Sequence, residues 1–179
     1  MILINLYGAP GSGKSTGAAY IFAKLKIAGI NAELVTEFAK DKVWEESKEV
    51  FNNQVYIFGK QYFRITRCAE KVDVIVTDSP LPLSVFYNTT DDSNQEFNNL
   101  VMKTSESFDN KNYFLRRTKA YNPKGRFQNE KESDELADNL WNFLTMWDIE
   151  FSEKNGCQED YDEIVEEILN IIKDKNLSK

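Results

Sequence analysis

Apolar residues come in short runs separated by polar stretches, and the spacing changes from one run to the next. Ile2 to Tyr7 (ILINLY) carries no charge, which predicts a strand buried on both faces. From Ser15 to Lys26 the apolar positions Ala18, Ile21, Phe22 and Leu25 fall at helical spacing, and Gly29 ends the pattern. Asn31–Thr36 predicts a second strand. Lys42–Lys71 reads as one long proline-free helix, with Gly59 marking a kink or a close contact. Val72–Thr77 (VDVIVT) predicts the third strand, closed by Asp78, Ser79 and Pro80. Leu81–Asp92 reads as irregular. Asn94–Phe108 predicts a helix and Asn112–Leu115 a fourth strand. Glu130–Met146 is amphipathic, with Leu136, Leu140, Phe143 and Leu144 inward. Ile149–Ser152 predicts a fifth strand and Tyr161–Ile172 a closing helix.

Strands alternating with helices imply βαβ units. The expected fold is a three-layer α/β domain over residues 1–179, with about five parallel strands flanked by helices. Such sheets bind ligands beyond the carboxyl ends of their strands. Gly8–Ser15, Thr36-Glu37 and Asp78 all follow strands, so they should converge on one site.

The segment Gly8, Ala9, Pro10, Gly11, Ser12, Gly13, Lys14, Ser15 fits G-x-x-x-x-G-K-[ST], between a strand and a helix as that motif requires. Its glycines let the backbone turn N–H groups toward phosphate oxygens, and the following helix adds its positive end. Lys14 is expected to reach the β and γ phosphates of ATP or a close relative. The Ser15 hydroxyl is expected to bind Mg²⁺, and Thr16 to contact the α phosphate. Asp78 fits the carboxylate that orders the Mg²⁺ shell, and Glu37 a carboxylate that accepts the proton of a hydroxyl or fixes it.

The net charge of −7 argues against indiscriminate nucleic-acid binding, but the charge is uneven. Lys111–Arg126 holds Lys111, Arg116, Arg117, Lys119, Lys124 and Arg126 and no acid, which is +6 and leaves −13 for the remainder. With Asn122, Pro123 and Gly125, residues 116–128 read as a basic lid over the phosphates, Arg117 and Arg126 among its candidate catalytic arginines. The same patch would suit a DNA backbone. Gln54, Phe58 and Gln61 share a helix face able to read and stack on a base, and Arg64 lies one turn on, placed to meet acceptor phosphate. An aromatic core with polar edges explains that face equally well. The chain has no histidine, which removes histidine bases and histidine metal sites. Cys68 and Cys157 are expected to be free thiols in a cytoplasmic protein. No run of eighteen apolar residues exists, so no membrane span is expected.

The phosphate loop, the VTE after the second strand, the VTDSP after the third and the basic segment together resemble the thymidylate-kinase-like branch of P-loop kinases. INLYGAPGSGKST, VYIFGKQ, VIVTDSPL and YNPKGRFQ are similar to bacteriophage P-loop kinases that include 5-hydroxymethyluridine DNA kinases. That resemblance implies transfer of the ATP γ-phosphate to the hydroxymethyl group of 5-hydroxymethyluracil in DNA. Ser79 stands where thymidylate kinases proper carry an arginine after the aspartate, which points away from thymidine monophosphate. A free nucleoside or nucleoside-monophosphate kinase is the alternative, and an ATPase or nucleotide-dependent switch with a protein partner is the alternative from another class. The oligomeric state stays open, a homodimer included.

Overall fold

The computed structural model describes residues 1–45, 48–88, 95–122 and 129–177. Ile2–Tyr7 forms β1, buried at every position. It lies at the centre of the sheet because both of its faces are apolar. β2 (Ala32–Val35), β3 (Val74–Thr77), β4 (Asp109–Arg116) and β5 (Ser152–Asn155) complete five strands in the order β2-β3-β1-β4-β5. Every pairing is parallel, so all carboxyl ends emerge on one side.

Among the described residues seven α-helices flank the sheet: α1 (Lys14–Ile27), α2 (Phe38–Trp44), α3 (Gln54–Ala69), α4 (Leu83–Phe86), α5 (Gln95–Glu106), α6 (Glu130–Met146) and α7 (Gln158–Leu177). Alternate residues of β1 feed two cores. Ile2, Ile4 and Leu6 pack with Ala18, Ile21 and Leu25 of α1 and Ile164 and Ile168 of α7. Leu3 and Tyr7 pack on the opposite face with Phe58, Val101, Leu140 and Leu144. Each fully buried leucine or isoleucine contributes about 2 kcal/mol.

One polar residue interrupts this centre. Asn5 is buried on β1 and donates Nδ2 to Asn110 Oδ1 (2.8 Å) and Asn112 Oδ1 (2.9 Å), two residues apart on β4.

Several expected elements differ from the structure. The long helix expected over Lys42–Lys71 is divided into α2, a 3₁₀ turn at Lys48–Asn52, and α3. Asn53 makes the break: its side chain accepts the Tyr56 N–H at 3.0 Å and caps α3. α3 continues through Gly59, which does not pack closely, since a Cβ there would meet nothing within 4 Å. The fifth strand lies at Ser152–Asn155, not Ile149–Ser152, because Ile149 and Phe151 turn into the core instead. The segment expected to be irregular contains α4. The fourth strand and the last helix are longer than expected, at Asp109–Arg116 and Gln158–Leu177. The second and third strands are shorter, at Ala32–Val35 and Val74–Thr77.

Candidate nucleotide-binding and phosphoryl-transfer site

The loop after β1 depends on left-handed backbone. Gly8, Gly11 and Gly13 have φ of 141°, 87° and 97°, values that side chains resist. Gly13 leads directly into α1, whose first N–H groups face back into the loop. Lys14 donates to Gly8 O at 2.6 Å and Ala9 O at 3.1 Å, so its ammonium lies inside the ring of the loop. Ser15 and Thr16 are exposed at the start of α1.

Glu37 and Asp78 meet because β2 and β3 are neighbours that end together. The Glu37 N–H donates to Asp78 Oδ1 at 3.0 Å. Burial raises the pKa of both carboxyls. The Lys14 charge opposes the rise at each, and each group's response is modulated by the other: the Asp78 charge adds to the rise at Glu37, and the Glu37 amide holds Asp78 down. Lys14, Glu37 and Asp78 therefore form one electrostatic group at the mouth of the loop. Ser15 and Asp78 offer the hard oxygen donors that suit Mg²⁺.

Tyr87, at the end of α4, was not anticipated. It remains 43% exposed, yet desolvation pushes its phenol up to about 12, with the Glu37 charge contributing. It sits outside any motif, so only the chain path after Pro80 brings it near Glu37.

The amide-and-ring face expected on α3 is occupied by packing. Gln61 is 2% exposed, accepts the Phe38 N–H at 3.0 Å and donates to Thr77 Oγ1 at 3.3 Å. Phe58 stacks on Tyr62 and meets Phe97 edge-on, and Gln54 donates to Phe51 O at 3.0 Å. Gln61 thus ties β3 to the start of α2. Arg64 is held by Asp41 and by Thr36 O at 3.1 Å, with its guanidinium over Phe38. These side chains brace the ends of β2 and β3.

The basic segment divides. Arg116 turns away from the loop, donating to Glu153 at 2.6 Å with its guanidinium over Trp141. Arg117 turns toward the loop, and a Cβ on Gly11 would lie 3.6 Å from its Cδ. Lys119 is exposed. Lys124 and Arg126 lie outside the described residues, as does the rest of the expected lid from 123 to 128.

Two further contacts support the loop. Tyr161 of α7 donates to Gly13 O at 3.1 Å and lies against Gly17, where a Cβ would come within 2.6 Å of its ring. Gly156, after β5, lies so close to Ser12 that an added Cβ would overlap the Ser12 carbonyl. The Asn155-Gly156 pair is a turn signature and was the available signal for that approach.

A glycine-rich turn leading into a helix N-terminus, with a lysine inside it and carboxylates beyond the neighbouring strands, defines the class: a P-loop nucleotide-binding α/β protein. A family model described as an AAA domain matches residues 3–163, and the chain belongs to that family. No curated protein matches the sequence. Among solved structures, deoxyadenosine kinase from M. mycoides with bound dATP is similar, at 20% identity and a TM-score of 0.55, over 94% of this chain and 99% of that one. Shikimate kinase from Aquifex aeolicus aligns over 99% of both chains at 18% identity and a TM-score of 0.49. The five-stranded parallel sheet with its flanking helices is the P-loop kinase fold. No helix among the described residues is long and apolar enough to cross a membrane.

Proposed function

We propose that this protein is a kinase that moves the γ-phosphate of ATP to an alcohol oxygen on a nucleotide-type acceptor. The observation that carries this reading is the grouping of Lys14 with half-buried Glu37 and buried Asp78 beyond adjacent strand ends. The loop amides and Lys14 bind and orient the triphosphate. Mg²⁺, held by Ser15 and Asp78, supplies charge neutralisation when bound. Glu37 accepts the acceptor's hydroxyl proton as the oxygen–phosphorus bond forms and the β–γ bridging bond breaks, and ADP departs. Burial suits Glu37 to that task, because a raised pKa makes it a stronger base.

The resemblance over VYIFGKQ, VIVTDSPL and YNPKGRFQ supports 5-hydroxymethyluracil in DNA as the acceptor. A free nucleoside or nucleoside monophosphate is the second reading, favoured by the net charge of −7, which opposes a polyanionic substrate. The test is transfer from γ-labelled ATP with Mg²⁺ to DNA containing thymine or 5-hydroxymethyluracil, and to free nucleosides and nucleotides. Label confined to the hydroxymethyluracil DNA supports the first acceptor, and label confined to a free nucleoside or nucleotide supports the second. Label in none of them, with slow ATP hydrolysis, would favour the switch reading.

Glu37→Gln separates function from stability. Single-turnover transfer is expected to fall about 100-fold, with ATP affinity little changed. The variant is also expected to be more stable at pH 7. A carboxyl whose native pKa is raised favours folding below its unfolded value, and that contribution is lost as pH rises through the native value. The variant's stability gain should therefore shrink as pH falls toward the ordinary carboxylate range. Denaturant midpoints across pH check the sign, and an unchanged single-turnover rate rejects the base role.

A further inference from the structure

The first turns of α6 lie against the phosphate loop. Asn129 accepts the Glu132 N–H at 2.9 Å while Glu132 accepts the Asn129 N–H at 2.7 Å, a reciprocal cap that fixes where the helix begins. Ser133 is 1% exposed and donates to Pro10 O at 2.8 Å, which joins the helix to the loop. Glu130 and Asp134, four residues apart on one face, both point at Arg117. One terminal nitrogen of Arg117 donates to Glu130 Oε1 at 2.7 Å and the other to Asp134 Oδ1. Tyr121 places its ring 5.3 Å from the same guanidinium and close over Gly11. The Arg117 side chain is only 17% exposed, although the two carboxylates are largely open to solvent.

We propose that Glu130 and Asp134 are positioning residues that hold the Arg117 guanidinium in one orientation at the mouth of the phosphate loop, where it meets the donor nucleotide. A free arginine samples many rotamers and loses that freedom on binding. Here two carboxylates fix both ends of the planar fork before the nucleotide arrives. Among the described residues, Nε–H and the second hydrogens of the terminal nitrogens are left to face it. The helix dipole alone does not explain the arrangement. It accounts for an acid in the first turn, such as Glu130, but not for Asp134 aimed at the same guanidinium.

The proposal rests on the loop as the donor-phosphate site, and its test needs no acceptor. Binding of a non-hydrolysable Mg·ATP analogue is measured by calorimetry for Glu130→Gln/Asp134→Asn, for Arg117→Ala, and for the triple variant. With Arg117 present, neutralising both carboxylates is expected to weaken binding about fivefold. With Arg117→Ala, the same change is expected to cause no further loss, or a gain as two uncompensated acids are removed. Arg117→Lys should not restore affinity, because a point charge cannot span both partners. Equal losses in both backgrounds overturn the proposal, as does tighter binding with Arg117 present, which would make the carboxylates a restraint on the arginine. Each single variant, Glu130→Gln or Asp134→Asn, gives the same comparison if the double one fails to fold. Absent phosphoryl transfer alongside the expected binding pattern would reject the kinase reading and leave the positioning role standing.

Discussion

Lys14→Ala is expected to lower phosphoryl transfer by about 1,000-fold while the protein stays folded. Lys14 is the one cation found inside the loop among the described residues, bonded to Gly8 O and Ala9 O. A preplaced charge in a partly desolvated site is worth several kcal/mol to developing charge, in the range measured for single preorganised donors. Lys14 also opposes the pKa rise of Glu37 and Asp78. Its removal should push both carboxyls further up and shift the acid limb of the rate profile to higher pH. Initial rates with γ-labelled ATP, a pH profile and a thermal melt make the comparison. A rate within a few-fold of the parent would remove Lys14 from the mechanism.

Gly156→Ala is expected to destabilise the fold by about 3 kcal/mol and to weaken nucleotide binding together with it. The neighbour a Cβ would strike is the backbone carbonyl of Ser12, which cannot swing aside as a side chain would. Gly156 is further fixed by donating its N–H to Arg116 O at 2.8 Å. Either the turn after β5 retreats or the phosphate loop deforms, and the second outcome distorts the N–H groups that face the phosphates. Gly59→Ala makes the contrast. It sits mid-helix with open space where the Cβ would go, so it should stabilise by about 0.5–1 kcal/mol. Denaturant midpoints at constant slope test both. A neutral Gly156→Ala would show that the loops do not depend on that close approach.

The parts of the site legible in the sequence were the local ones. A charge-free strand, glycines at fixed spacing and a lysine before a serine all lie within fifteen residues, and the structure joins them as one strand, glycine loop and helix start. The carboxylates after β2 and β3 were legible because strand ends share one side of a parallel sheet. What failed depended on tertiary context. Apolar spacing runs through Asn53 uninterrupted, and only the side-chain cap reveals that α3 starts there. β5 (SEKN) is mostly exposed and polar, so the apolar run beside it gave the stronger but misplaced strand signal. Gln61 and Phe58 carry the chemistry of base recognition, yet the fold turns both inward. The partners of Arg117 lie 13 and 17 residues along the chain, beyond the reach of any local pattern.

The buried amide of Asn5 bears on how accurately the site is assembled. It bonds two acceptors that are i and i+2 on β4, so it can recognise only one alignment of β1 against β4. A slip of one residue would replace this pair of amide oxygens with Lys111 and either Tyr113 or Asp109, and an amide that loses an acceptor costs about 1–3 kcal/mol. The phosphate loop grows from the end of β1, and Arg117 from the end of β4. The same slip would therefore move the arginine by about 3.3 Å relative to the loop and turn it to the opposite face. That displacement exceeds the misplacement of about 1 Å that can already cost a reaction about 100-fold. Asn5 acts as an alignment pin: a polar residue buried in the sheet fixes the distance between two charged parts that it never touches.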